Sequence, residues 1–263
     1  MVLFVLIVVA AGSYWWFLEN SKSASQRLFV ATVKYESQGE IAAAVAGYKQ
    51  VKQLYPQSKQ APQALFRLGK LQQYDLHQDQ LALLSYLQLE HDYPASELIL
   101  RANEESAKIV KYGQRDYQHA IELYQRLLDF DSGTHDHYYY EIADCYFRIE
   151  KFSQARIELE ILLKKYPNSS LIADALYRKG VILMLEGKNA AARKDFQQLI
   201  KNYPASRYRQ AAELDLAKLL EEEEFLKEAL LLYQQLKASN PTLMVEKKIN
   251  HLQQRIAEKK EAI

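Results

Sequence analysis

Between Ser170 and Ser206, apolar residues recur every three to four positions in two runs, SLIADALYRKGVILML and NAAARKDFQQLIKNY, parted by Glu186-Gly187-Lys188 and closed by Pro204. The spacing predicts one helix over residues 171–185, with Leu176, Gly180 and Leu183 on a stripe, and a second over 189–203, with Ala192, Phe196 and Leu199 on another. Asn189 is placed to cap the second helix. Two amphipathic helices joined by so short a turn cannot bury both apolar faces alone, so the pair calls for neighbours.

The neighbours are copies of the same pattern. Tyr-Pro-x-Ser closes the stretch at Tyr203 and stands also at Tyr55, Tyr93 and Tyr166, with degenerate forms at Phe130-Asp131-Ser132 and Asn240-Pro241-Thr242. The six markers are 38, 37, 36, 37 and 37 residues apart. A second marker, a small residue followed four later by a large one, keeps nearly the same period: Ala44/Tyr48, Ala82/Tyr86, Ala120/Tyr124, Ala155/Leu159, Ala192/Phe196 and Ala229/Tyr233. Two markers holding one period six times predict an array of six helix-turn-helix units. Alanine lets the paired helix approach, the aromatic one turn on fills the gap, and proline ends the second helix, after which serine is placed to cap the next one. Five prolines (56, 94, 167, 204 and 241) do this, and Pro62 falls where a first helical turn tolerates it.

Units of this length with small-x3-aromatic spacing and a terminal proline resemble tetratricopeptide repeats, whose first helix prefers a large residue, then Leu-Gly, then Tyr. Here that pattern reads Leu65 and Leu68-Gly69, then Tyr139, Ile142-Ala143 and Tyr146, then Leu176, Lys179-Gly180 and Leu183. The unit at 97–132 departs most, with Glu104 and Lys108 near the expected large and small positions. The recurrent Tyr-Pro-x-Ser and the LFRLG and LYRKG segments resemble a narrower group, the BamD-like and YbgF (CpoB)-like repeat proteins of the bacterial envelope. The resemblance covers about residues 25–242 and implies an all-α superhelical array that binds other proteins in the periplasm.

Outside the array, residues 2–18, VLFVLIVVAAGSYWWFL, carry no charge and end on two tryptophans and a phenylalanine. As a helix they rise about 25 Å, the short end of a bilayer span, with the aromatics where an interfacial belt would sit. Residues 1–18 therefore read as a single transmembrane anchor. The alternative is a signal peptide, for which Ala10 to Ser13 offer small residues but no basic region precedes the apolar one. No cysteine lies near this segment, so a lipid-modified anchor is ruled out and the likeness to BamD stops there. Residues 19–25 read as a short polar linker, 26–242 as the array, and 243–263 as a C-terminal capping helix with Ile249, Leu252 and Ile256 on one stripe.

Charge narrows the function. With 34 Lys and Arg against 33 Asp and Glu, the net charge of +1 is spread along the chain and provides no footprint for nucleic acid. Glycine-rich phosphate loops, nucleophile elbows, HExxH and paired CxxC are missing, so neither an enzyme, a cofactor nor a small-molecule substrate is expected. Cys145, the single cysteine, reads as a buried structural thiol. His135 and His137, among Asp131 and Asp136, have metal-ligating chemistry; the simpler reading is a polar turn in which Thr134 and Asp136 cap the next helix. The run Glu221–Glu224 reads as a solvated helix end.

In tetratricopeptide arrays the first helices line a concave groove. Aligning the units places Phe29, Phe66, Tyr140, Tyr177 and Leu214 at one position, with Lys70, Asp144 and Lys218 one turn later. These are the candidate partner-binding residues; the competing reading packs the aromatics between adjacent first helices. Two functions follow: a membrane-anchored scaffold of the envelope, or an accessory subunit built permanently into a larger membrane complex. The resemblance implies an inner-membrane anchor with periplasmic repeats. Lys22, Arg27 and Lys34 after the anchor argue for the opposite orientation.

Overall fold

In the computed structural model, which describes residues 21–131, 133–242 and 244–261, each Tyr-Pro-x-Ser corner stops one helix and starts the next through the same backbone bonds. The Tyr166 amide donates to Leu162 O at 2.9 Å, the Ser169 amide to Tyr166 O at 3.0 Å, and the Ile172 amide to Ser169 O at 3.4 Å. The corners at Tyr55, Tyr93 and Tyr203 repeat the set. Proline, with no amide and a fixed φ, cannot extend the helix it follows. The serines pin the corner rather than cap the following helix. Ser96, Ser169 and Ser206 Oγ accept from the amide two residues on, at 3.2, 3.0 and 3.1 Å, and the next helix begins one residue later.

The chain divides into two compact units between Ser132 and Gly133, inside the stretch where the usual corner is replaced. The first holds three helix pairs among its described residues: α1 (21–37) with α2 (Ile41–Leu54), α3 (Gln60–Lys70) with α4 (Asp79–Asp92), and α5 (Ile99–Lys108) with α6 (Tyr117–Leu127). The first helices α3 and α5 run on into π-helical turns, Leu71–Asp75 and Ile109–Gln114. The second unit pairs α7 (His135–Arg148) with α8 (Phe152–Lys165), α9 (Ile172–Leu185) with α10 (Asn189–Asn202), and α11 (Arg209–Glu222) with α12 (Leu226–Ser239), and adds α13 (Glu246–Glu261). There is no strand among the described residues.

Between the helices of each pair stands one residue in the left-handed region: Gly39, His77, Arg115, Glu150, Gly187 and Glu224, with φ between 53° and 75°. Such a residue breaks the first helix and aims the chain back along it. At the four non-glycine positions a Cβ crowds the backbone, at about 1–2 kcal/mol each. Glu150 is exposed. Glu150→Gly should raise stability by up to about 1 kcal/mol, the relieved strain exceeding glycine's extra unfolded entropy. A urea midpoint unchanged or lowered by this substitution would show that the position is unstrained.

The core follows the two-residue marker. All six small residues of the second helices are fully buried, and their large partners are at most 1% exposed. Facing them on the first helices is a row spaced by 37 residues, Thr32, Gly69, Ser106, Ala143, Gly180 and Ala217, each buried. A Cβ on Gly69 would stand 2.4 Å from Tyr86 Cε1. This row corrects the register of the third unit: its small position is Ser106, buried, rather than Lys108, and its large position is taken by Ala102 rather than Glu104. The polar residues around Ser106 hide the position from a search for Leu-Gly.

Three further expectations are corrected. Asn189 is the first residue of α10, and Lys188 holds the cap position without a side-chain bond. Residues 21–25, read as part of a linker, already belong to α1; Ser25 is fully buried, its Oγ lying within hydrogen-bond distance of Lys22 O at 2.9 Å and of Gln60 Oε1 at 3.0 Å. The glutamates before α12 are not merely solvated. Glu221 meets Lys248 at 3.0 Å, Glu224 meets Arg255 and, at 2.6 Å, Lys259, and Glu223 meets Arg193 at 2.9 Å. Three of these cations lie on α13, whose Leu252 is fully buried, so the last helix is held by an apolar stripe and a charged seam. The proposed anchor, residues 1–18, lies outside the described residues. Among those described, no helix is long and apolar enough to cross a membrane.

Candidate protein-binding site

The predicted groove residues stand three before and one after the small row on the first helices. In the first unit, Phe29, Phe66 and Lys70 line one hollow of ≈ 560 Å³, shared with Arg67, Tyr74 and Arg101. The two phenylalanines are its floor rather than its rim, being 9% and 6% exposed. Their rings pack on Tyr48 and Tyr86 of the following helices, with centroids 5.8 and 6.0 Å apart. Both rings thus pack within their own helix pair, and Arg101 of the next first helix lies over the Phe66 ring as well, 4.8 Å from its centre.

In the second unit, Tyr140, Asp144, Tyr177, Leu214 and Lys218 fall on α7, α9 and α11 within a ladder of internal contacts. The Asp144 carboxylate, buried, meets Arg178 at 3.0 Å and Arg148 at 3.6 Å. The Arg178 guanidinium also lies 5.0 Å from the Phe147 ring centre. Burial would lower the Arg178 pKa, but Tyr140 and Asp144 outweigh it, and the pKa is raised. Burial likewise raises the Tyr140 pKa, against the pull of Arg178. Tyr177 stacks on Tyr208 at 4.7 Å and donates to Asp215 Oδ2 at 3.1 Å, while Lys218 Nζ lies 2.8 Å from Asp215 Oδ1. Burial, then Asp215, pushes the Tyr177 pKa up to about 12.

Sequence reasoning missed Arg67, Arg178 and Asp215. All three occupy the position immediately after the aligned groove residue (Phe66, Tyr177 and Leu214), so one further aligned column holds the signal. The histidine cluster opens α7. His137 Nε2 lies 3.6 Å from Glu141 Oε1, and both histidine rings lean toward Tyr138. Thr134 takes the cap position without a side-chain cap bond, and Asp136 accepts instead from Ser169 Oγ. Among the described residues no group of three or more His, Cys, Asp or Glu is placed to hold a metal ion. Cys145 is buried.

Two tetratricopeptide-repeat profiles match this sequence, one at residues 31–58 and 174–206, the other at 111–179. No curated protein matches it. Solved structures of similar fold include a tetratricopeptide repeat protein from Parabacteroides merdae, at 15% identity over 88% of this chain and 98% of that one, with a TM-score of 0.58. YrrB, described as a tetratricopeptide repeat protein with an unusual peptide-binding site, superposes at 14% identity over 75% and 94% of the two chains, with a TM-score of 0.56. PilW, a type IV pilus biogenesis factor, does so at 16% over 86% and 98%, with a TM-score of 0.55. At such identities the likeness is one of fold, and it agrees with the matched repeats and with the packing of the helix pairs. The chain thus carries tetratricopeptide repeats at residues 31–58 and 111–206, and its helix pairs share the fold of tetratricopeptide arrays, a fold that serves protein–protein interaction.

Proposed function

We propose that this protein is a membrane-anchored scaffold of the bacterial cell envelope that binds partner proteins through the first-helix face of its repeats. The observation that carries the reading is the hollow spanning three successive first helices in the first unit, open to solvent. Stacked helix pairs that leave such a face free suit an extended segment or a helix of a partner. The peptide-binding site reported for YrrB supports this use of the fold. The envelope and the periplasmic side are supported by the uncharged run at residues 2–18 and by the Tyr-Pro-x-Ser style of repeat.

Two measurements test it. A photo-crosslinking residue at Gln63, on the rim of the hollow, should capture a partner protein, and the same residue at exposed Lys49 on α2 should not; equal capture at both removes the groove. In cells with a permeabilised outer membrane, an impermeant thiol reagent should label Ser23→Cys, since Cys145 is buried. Labelling only after the inner membrane is broken would place the repeats in the cytoplasm and end the envelope reading.

A second reading, the built-in accessory subunit, is favoured by one feature of α4. Leu81, Leu84 and Leu87 are 45%, 60% and 54% exposed, where the next pair carries His119, Glu122 and Gln125. Partners that survive washing at high salt in mild detergent would support it over the exchangeable scaffold.

A further inference from the structure

The hollow of the first unit holds cations that the unit itself leaves without a carboxylate. Arg67 is satisfied, its Nη1 lying 2.9 Å from Glu36 Oε2. Lys70 and Arg101, both exposed, meet no carboxylate among the described residues. They lie instead over rings, Lys70 Nζ 5.5 Å from the centre of Tyr74 and the Arg101 guanidinium 4.8 Å from that of Phe66. In the second unit the cation aligned with Lys70, Lys218, is paired with Asp215, while the positions aligned with Arg101 hold Tyr138, Ala175 and Ala212.

The setting makes the two cations directional. A cation held over an aromatic face loses less freedom when an anion arrives, and a guanidinium presents a planar fork to a carboxylate. The π-helical turn Leu71–Asp75 places Tyr74 in the hollow, and Tyr74 Oη donates to Glu105 on α5, which ties the ring across two first helices. Asp75, on the rim, is the one lining carboxylate besides Glu36, so the lining carries three cations against two anions. Leu98 and the edge of Phe66 supply the apolar part.

We infer that this hollow takes an acidic segment of a partner protein, its carboxylates on Lys70 and Arg101 and an aliphatic or aromatic side chain between them against Phe66 and Leu98. The inference rests on the protein-binding reading above and names the chemistry of its ligand. A single-stranded nucleic acid also offers anions and rings, but it needs a run of cations to follow its backbone, and the lining aspartate and glutamate oppose that.

Fluorescence anisotropy on the full chain in detergent tests it, with a labelled, C-terminally amidated decapeptide Gly-Ser-Asp-Glu-Leu-Asp-Phe-Asp-Gly-Ser as probe. Replacing its acids by their amides should weaken binding roughly tenfold to a hundredfold, because hydrogen bonds to charged groups are lost. Lys70→Glu and Arg101→Glu, at exposed positions that leave the helical signal intact, should each weaken it similarly. Together they should turn the preference to a peptide with lysines in place of the acids. Equal binding of the acidic and amide peptides, tighter binding of an oligothymidylate, or no binding of the acidic peptide would each overturn the inference. The cross-link at Gln63 reports separately on whether the face binds protein at all.

Discussion

Replacing Gly180 with valine should destabilise the second unit by about 2–3 kcal/mol, the upper part of the range for overpacking a close-packed core. A Cβ at Gly180 would stand 2.5 Å from Phe196 Cε1 and 2.8 Å from its Cζ. The ring has nowhere to go: Phe196 is fully buried and the Tyr177 ring packs on it with centroids 6.0 Å apart. Valine's better helix propensity recovers less than about 1 kcal/mol of this. The preceding repeat carries Ala143 and Leu159 at the same two positions, both buried. Gly180→Ala with Phe196→Leu should therefore be milder than the sum of its parts, as expected for residues in contact. Urea unfolding followed by circular dichroism reads both effects. A midpoint unmoved by Gly180→Val would mean that the helices do not approach here as closely as the structure has it.

Above pH 10 the protein should lose stability steeply and unfold cooperatively. Tyr48, Tyr86 and Tyr233, each on a second helix, are almost fully buried and reach back to the first helix of their own pair, Tyr48 to Glu36, Tyr86 to Gln73 Oε1 at 3.0 Å and Tyr233 to Glu221 Oε2 at 3.3 Å. Burial is the main cause holding all three hydroxyls well above the ordinary tyrosine value, with the nearby glutamates adding to it. Burial and Glu105 push Tyr74 up to about 12. The unfolded chain releases these protons near pH 10, so the folded state holds more of them as the pH rises and its stability falls with each step. The contribution is complete below pH 10 and is lost as the pH climbs toward the folded values. Tyrosinate absorbance should rise in two stages, exposed hydroxyls first and the buried set only with the helical signal. A single gradual stage with the helices intact would contradict the buried assignment.

Much of this architecture is written in short stretches of sequence. A proline without an amide, an alanine four residues before an aromatic, and a recurrence near 37 residues are local signals whose effect needs no distant partner. They suffice for the helix pairs, their corners and the row of buried tyrosines. What depended on the tertiary structure is who meets whom between helices. Lys108 and Ser106 exchange roles because the surroundings of α5, not its composition, decide which side faces α6. The glutamates at 221 and 224 look solvated until Lys248, Arg255 and Lys259 fold back on them. Phe29 and Lys70 share an aligned surface in the sequence, yet one is buried on Tyr48 and the other stands free of any carboxylate among the described residues. Periodicity assigns a residue to a face of its own helix. Whether that face is filled, paired or left open is set by side chains that only folding brings near it.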